Sequence, residues 1–380
     1  MKKLLVIILI LTSVNSFAQD SLFIRQTVDT LASPYFWGRG YTKNGMEKAA
    51  DFIAEKYKAF GLLPFGGKDF RMQFSYPVNT FPGKVEVFIN GKKLLPGEDF
   101  ILSPESRGIS ASGTLVQSDS ITFVDVQNKI VVQLKDKLTG DVSQQVADYT
   151  AILIDKNRFT EKPESVKVDI ENSFIKNFKA ANICGMVKGT MHPDSIIFIT
   201  AHYDHLGGLG ADTYFPGAND NASGVATLLA LAQYYAAHPQ TYSIGFISFA
   251  GEEAGLLGSK YFTEHPPINL KKIRFLLNLD IEGTGVDGIT VVNATEFPKE
   301  FGYMQKINSE KHYLAAVNER GKAPNSDHYF FTEKGVPAFF FYTLGGIKAY
   351  HDVYDRPETL PLNESNNLVS FIKDFVTALQ

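Results

Sequence analysis

The sequence predicts an α/β protein: a mostly parallel mixed sheet flanked by helices on both faces, interrupted by a small β-rich insertion. Three observations predict it. From about residue 180 onward, strand-like apolar runs alternate with helical patterns, the signature of parallel strands joined by crossover helices. Some of those runs, such as Ser195 to Thr200, are nearly continuous in apolar residues, as strands buried on both faces must be. Between about 80 and 180 the texture differs, with short β-branched runs broken by Asn90-Gly91 and Pro96-Gly97 turn signals.

The elements follow in order. Lys2 and Lys3, the apolar run Leu4 to Leu11, and the small residues of Ser16-Phe17-Ala18 read as a secretory signal peptide over residues 1–18. The run is short for a membrane span, and an uncleaved anchor is the competing reading. The main domain is expected to comprise 19–80 and 181–380, with the insertion at 81–180. Residues from about 22 to 75 read as helix-rich. Met46, Ala50, Ile53, Ala54, Tyr57 and Phe60 recur at helical spacing, and Gly61 stands as a C-terminal cap. Strands are expected in the insertion at 84–89, 130–134 and 150–154. In the main domain they are expected at 195–200, 243–249, 275–279, 289–292 and 336–342. Helices are expected at 225–235, 256–262 and 368–379.

Composition excludes several classes of function. With 37 basic against 41 acidic residues, a net of −4, the chain has no electrostatic footprint for nucleic acid and no polybasic membrane patch. Cys184 is the single cysteine, so no intrachain disulfide can form. It sits in an apolar run with no neighbouring base and reads as a buried structural thiol.

The chemistry-bearing residues cluster just past the ends of the expected strands, where open α/β sheets bind ligands. His202 and Asp204 follow the strand at 195–200. Glu252 and Glu253 follow 243–249, and Asp280 follows 275–279. Asp220 precedes a helix in Gly217-Ala218-Asn219-Asp220-Asn221-Ala222-Ser223-Gly224, and His351 lies on the loop after 336–342. Each motif alone is weak: His-x-Asp is common, and a Glu-Glu pair after a strand is usually a solvated turn. Together they would gather carboxylates and imidazoles at one sheet edge, where they would repel one another or stay unpaired without a cation. Imidazole and carboxylate donors suit Zn²⁺. Two ions sharing a carboxylate can polarise a carbonyl while activating a water. Asp204 is placed to accept the second N–H of His202 and fix its tautomer.

The chain resembles the secreted di-zinc aminopeptidases, a zinc-exopeptidase-like family related to the glutamate-carboxypeptidase-like and glutaminyl-cyclase-like members. The resemblance lies in Ala201-His202-Tyr203-Asp204-His205-Leu206-Gly207, Gly217 to Gly224, Gly251-Glu252-Glu253-Ala254-Gly255-Leu256-Leu257-Gly258-Ser259, Asn278-Leu279-Asp280, Ser326-Asp327-His328 and Tyr350-His351. Gly38-Arg39-Gly40 and the helix from Glu47 to Leu62 look like the family's opening. The resemblance implies two Zn²⁺ ions, with Asp220 bridging both. It implies Glu253 and His351 at one ion, His202 and Asp280 at the other. Glu252 would be the general base that takes a proton from a two-zinc-activated water, with Asp204 behind His202. Tyr350 would donate to the developing oxyanion, and the peptide bond between Asp220 and Asn221 would be cis. His328 is left between a site-facing and a structural role. His192, His205, His238, His265 and His312 are read as non-ligands.

The activity so implied is hydrolysis of the N-terminal peptide bond of peptides with a free N-terminus. The protein would be exported through a cleaved signal peptide to the periplasm or medium, without stable membrane association after cleavage. The insertion occupies the place where some members carry a protease-associated domain, and its position suggests a wall that limits substrate size. Three other readings stay open. A glutaminyl cyclase on this fold would work with a single zinc. A carboxypeptidase or dipeptidase would need a cationic grip on a terminal carboxylate, for which Arg320 and Lys322 are the nearest candidates. A catalytically dead binding protein would be expected to have lost a ligand or the base.

Overall fold

The computed structural model describes residues 20–65 and 67–380. The expected signal peptide lies outside them. The described chain opens with a helix over 20–31, a 3₁₀ turn Pro34–Arg39 and the helix Gly45–Phe60. Gly61 ends that helix at φ 82°, its N–H returning to the carbonyls of Lys58 and Tyr57.

A nine-stranded mixed sheet forms the centre. Its order is Leu63–Pro64, Ser173–Val187, Tyr242–Phe249, His192–His202, Ile273–Leu279, Ala338–Thr343, Ile289–Val292 and Val317–Arg320, with Arg71–Thr80 also paired to Ser173–Val187. The four central strands run parallel, and antiparallel neighbours flank them on both sides. Ile196 to His202 is buried throughout, which is why its apolar run does not alternate. The helix Gly224–Ala237 covers one face between Gly45–Phe60 and Ser365–Ala378. Val225, Leu228, Leu229 and Leu231 are fully buried, so this helix has almost no polar stripe. On the other face, Leu257–Glu264 and His328–Glu333 bring Phe262 and Phe331 onto Ile247 and Phe249.

Two expectations change. The helix-rich reading ends at Phe60, because Arg71–Thr80 is a strand, registered from Arg71 opposite Ile183 to Thr80 opposite Ser173. Met72, Phe74, Tyr76 and Val78 alternate along it at strand period, but its partner lies a hundred residues away. The insertion's far limit at 180 falls inside the same long pair, since Ser173–Val187 belongs to the main sheet along its length. The helix Pro298–Lys311, the strand Val317–Arg320 and the helix His328–Glu333 were not among the expected elements.

The insertion hangs from that ribbon. It consists of a five-stranded sheet from Phe100–Leu102 to Val116–Gln117 and a four-stranded sheet containing Val85–Ile89 and Ser165–Ile170. Their shared core includes Val87, Ile130, Val132, Ile152 and Val168. It is continuous with Leu206, Leu209, Phe215 and Val353 of the main domain.

Candidate metal centre

The parallel strands end together, and the loops that leave them carry the chemistry. His202 is the last residue of its strand, Glu252 and Glu253 follow Tyr242–Phe249, and Asp280 follows Ile273–Leu279. The structure brings all five expected metal ligands to one place. Donor atoms of Asp220, Glu253 and His351 lie within 4.8 Å of one another in one group. Those of His202, Glu252 and Asp280 do so in a second. Asp220 faces both groups: its Oδ1 is 3.3 Å from His202 Nε2 and its Oδ2 is 3.0 Å from His351 Nε2. His351 Nε2 also stands 3.0 Å from Glu253 Oε2, and His202 Nε2 stands 3.1 Å from Asp280 Oδ1.

The donors fit a pair of cations. Both imidazoles point Nδ1 at a backbone carbonyl, His202 at that of Asp204 (3.2 Å) and His351 at that of Gly140 (2.9 Å). A carbonyl oxygen can only accept, so each Nδ1 holds a proton. Each Nε2 then meets carboxylates and must either carry a second proton or share a cation with them. The electrostatics express the same demand. Burial opposes charge on His351, yet Glu253 and Asp220 outweigh it and push its pKa up to about 12. Burial would raise Asp220, but hydrogen bonding to His202 and His351 holds it well below the usual carboxylate range. Donor separations of 3.0–3.3 Å are close to those around one tetrahedral ion with bonds of about 2.0–2.2 Å. The two groups of donors fit two zinc ions.

Glu252 differs from its neighbour. Burial, opposed by His202 and reinforced by Asp280, Glu253 and Asp327, pushes its carboxyl well above the usual range. Glu253 is held down at about 2, because His351 and the bond from His205 outweigh burial. The two adjacent glutamates are thus driven in opposite directions, Glu252 toward its neutral form and Glu253 toward its anion.

Asp204 takes a different role from the one expected. Its carboxylate is 3.9 Å from His202 Nδ1, beyond hydrogen-bond reach. It accepts instead the backbone N–H groups of Glu252 (3.1 Å) and Glu253 (3.3 Å), so it fixes the loop that carries both glutamates. His205, read as a non-ligand, belongs to the first group of donors. Its Nδ1 lies 2.6 Å from Glu253 Oε1, which leaves Oε2 to face His351 and Asp220. His328 packs against Phe340. From the same segment it is Ser326 that reaches the site, donating to Asp280 Oδ2 (2.8 Å) while accepting from Asn278 (2.8 Å). Tyr350 is 43% exposed and stacks on the His351 ring at 4.0 Å. Burial and the surrounding carboxylates push its hydroxyl upward, so it remains a donor. The peptide bond between Asp220 and Asn221 is cis.

Two residues outside the expected set hold the Asp220 loop. Arg39 is wholly buried, and its guanidinium donates to five carbonyls: those of Leu31, Tyr203, Pro216, Gly217 and Asp220. That satisfies all five of its N–H groups. Burial lowers its pKa to about 10 against the pull of Asp220 and Asp355, so it stays charged. Asp355 accepts the N–H groups of Asn219 (2.8 Å) and Asp220 (3.0 Å) from the other side. The glycine after Arg39 is required by close approach: a Cβ on Gly40 would come within 2.3 Å of the Gly207 Cα. The insertion also reaches the site. Gly140 N–H donates to the His351 carbonyl (2.7 Å), Gln144 donates to the Ala254 carbonyl (2.8 Å), and Lys137 pairs with Asp352 at 3.3 Å.

A parallel-centred sheet whose strand ends gather two groups of cation donors around a shared carboxylate has the architecture of a binuclear metallohydrolase. Comparison with known proteins narrows the class. The model of peptidase family M28 matches residues 182–376, and the chain belongs to that family. Among curated relatives, aminopeptidase YwaD of Bacillus subtilis (strain 168) is 30% identical over 211 residues, covering 53% of this chain and 44% of that protein. The chain therefore matches less than half the length of that relative. Among solved structures, BSAP, a zinc aminopeptidase from Bacillus subtilis, superposes with a TM-score of 0.69 at 18% identity, covering 94% of each chain. A peptidase M28 precursor from Shewanella amazonensis SB2B gives 0.70 at 17% identity, covering 97% of this chain and 96% of that one. At those identities the structures establish the shared fold.

Proposed function

We propose that this protein is an exported two-zinc aminopeptidase that removes single residues from the N-termini of peptides. The observation that carries the reading is Asp220, whose two oxygens face His202 and His351 separately, with Glu252 beside them and Tyr350 at the mouth. The names of the relatives, a zinc aminopeptidase among them, point the same way.

Zinc held by these donors would polarise the scissile carbonyl and make an attacking water more acidic. Glu252, with its raised proton affinity, takes the proton from that water and delivers it to the leaving amine. Asp204 keeps the glutamate loop in register during the transfer. Tyr350 donates to the oxygen on which negative charge develops. Glu252 and Asp280 line the cleft, where their carboxyl oxygens can accept from a substrate's free ammonium group.

The test is hydrolysis of aminoacyl chromogenic amides beside their N-acetylated counterparts, before and after chelation and zinc restoration. Cleavage of free-amine substrates alone, lost on chelation and regained with zinc, is expected. Failure of the zinc-restored enzyme on every free-amine substrate would overturn the reading. Export rests on the basic and apolar opening of residues 1–18. Among the described residues no helix is long and apolar enough to cross a membrane. Sequencing the N-terminus of the mature protein checks it, and recovery of intact Met1 would count against cleavage.

A further inference from the structure

Beyond the metal donors, the cleft has an apolar wall with a basic rim. Ile281, directly after Asp280, lines it together with Phe340 and Tyr342. Phe340 and Tyr342 are alternate residues of one strand and so share a face. Besides Tyr350, the exposed polar residues lining the cleft are Asn325 and Arg320. Sheet register places Arg320 deliberately. Val292 pairs with Arg320 on one side and with Phe340 on the other, so all three side chains project from the same face.

The guanidinium of Arg320 donates to the Tyr342 hydroxyl at 3.2 Å. No carboxylate among the described residues forms an ion pair with it. Its neighbour Lys322 pairs with Glu333 and does not line the cleft. A cation without an acidic partner is unexpected in a cleft that contains Asp220, Glu252 and Asp280. With Tyr342 holding one donor, the remaining guanidinium N–H groups can take a carboxylate in two-point fashion.

We propose that Arg320 is a specificity-determining residue that selects substrates whose first residue is acidic, glutamate or aspartate. The short apolar stem of such a side chain lies along Ile281, Phe340 and Tyr342. Its carboxylate meets Arg320, with the Asn325 amide beside it. The α-ammonium is then left for Glu252 and Asp280. This inference rests on the aminopeptidase reading.

Zinc-loaded full-length enzyme should be assayed on Glu-, Gln-, Asp- and Leu-p-nitroanilide, beside the variants Arg320→Ala, Arg320→Lys and Lys322→Ala. Glu and Gln have the same shape but differ in head-group charge and in one acceptor oxygen replaced by an NH2 donor, so their kcat/KM ratio reports the carboxylate contact. Wild type should favour Glu over Gln by about 10- to 100-fold, the range for a charge-assisted pair. Arg320→Ala should bring that ratio close to one. Arg320→Lys should retain part of it, and Lys322→Ala should leave it as in wild type. A Glu:Gln ratio that Arg320→Ala does not change overturns the proposal. So does an Arg320-dependent cleavage of N-acetyl dipeptides bearing a free C-terminal carboxylate, which would make Arg320 a grip on the other end of the substrate. If the zinc-loaded wild type cleaves no free-amine substrate, the aminopeptidase reading itself has failed, and that outcome is separate from a changed preference.

Discussion

The sheet edge and the insertion contribute to the same centre in different ways. The sheet edge supplies side chains that ionise: His202, Asp220, Glu252, Glu253, Asp280 and His351. To the donor loops the insertion supplies backbone and amide groups, the carbonyl and N–H of Gly140 and the side-chain amide of Gln144, with the Lys137–Asp352 ion pair beside them. Chemistry is concentrated where parallel strands end, because loops at that edge converge and can point several carboxylates at one spot. The insertion braces the His351 loop from outside. The His351 imidazole, held by the Gly140 carbonyl from a loop of the insertion, has its tautomer set from outside the sheet that carries the other donors.

Four predictions would break or sharpen that contrast. The largest effect is expected at the sheet edge. Glu252→Gln should lower kcat by about 10²- to 10⁴-fold, the usual contribution of a positioned acid–base group, while the protein still binds two zinc ions by metal analysis. Near-normal turnover in that variant would remove Glu252 from proton transfer. Next comes the support of the Asp220 loop. Arg39→Met should cost about 3–5 kcal/mol, because five buried carbonyls lose their donors and Asp220 and Asp355 lose a countercharge. Denaturant titration reads this directly, and a loss below about 1 kcal/mol would mean the loop holds itself.

The third prediction concerns pH. Burial lowers His328 to about 4. A depressed folded pKa means the unfolded chain takes up the proton first. The stability His328 confers is therefore present above about pH 6.5, its unfolded value, and is lost as pH falls toward 4. The slope approaches about 1.4 kcal/mol per pH unit in that window. His328→Gln should flatten the difference between stability at pH 7 and pH 4.5. An identical pH profile in wild type and variant would show that the imidazole does not sense this environment. The smallest effect belongs to the insertion. Gln144→Ala removes one bond to the Ala254 carbonyl, about 1 kcal/mol, and should reduce kcat less than tenfold with zinc content unchanged. A loss as deep as that of Glu252→Gln would dissolve the distinction between the two regions.

Much of this was legible in the sequence. The continuous apolar runs at 195–200 and 243–249 identified buried parallel strands, and the acidic and imidazole residues past their ends marked the metal centre. Both signals are local: burial on two faces removes alternation, and a strand end lies next to its loop in the chain. The insertion stood out because turn signals and β-branched runs are also local.

What the tertiary structure alone decided depends on long-range pairing. Arg71–Thr80 joined the sheet because its partner is Ser173–Val187, and a period-2 pattern does not name a partner. Asp204 turned to the Glu252–Glu253 backbone rather than to His202 because loops from two strands meet there. His205 met Glu253, and Arg39 met five carbonyls from three segments, although nothing near either residue in the chain announced it. Residue types and strand ends determine what chemistry the chain can perform. Hydrogen bonds between segments far apart in sequence decide which atom of each residue faces the reaction, because only packing fixes those directions.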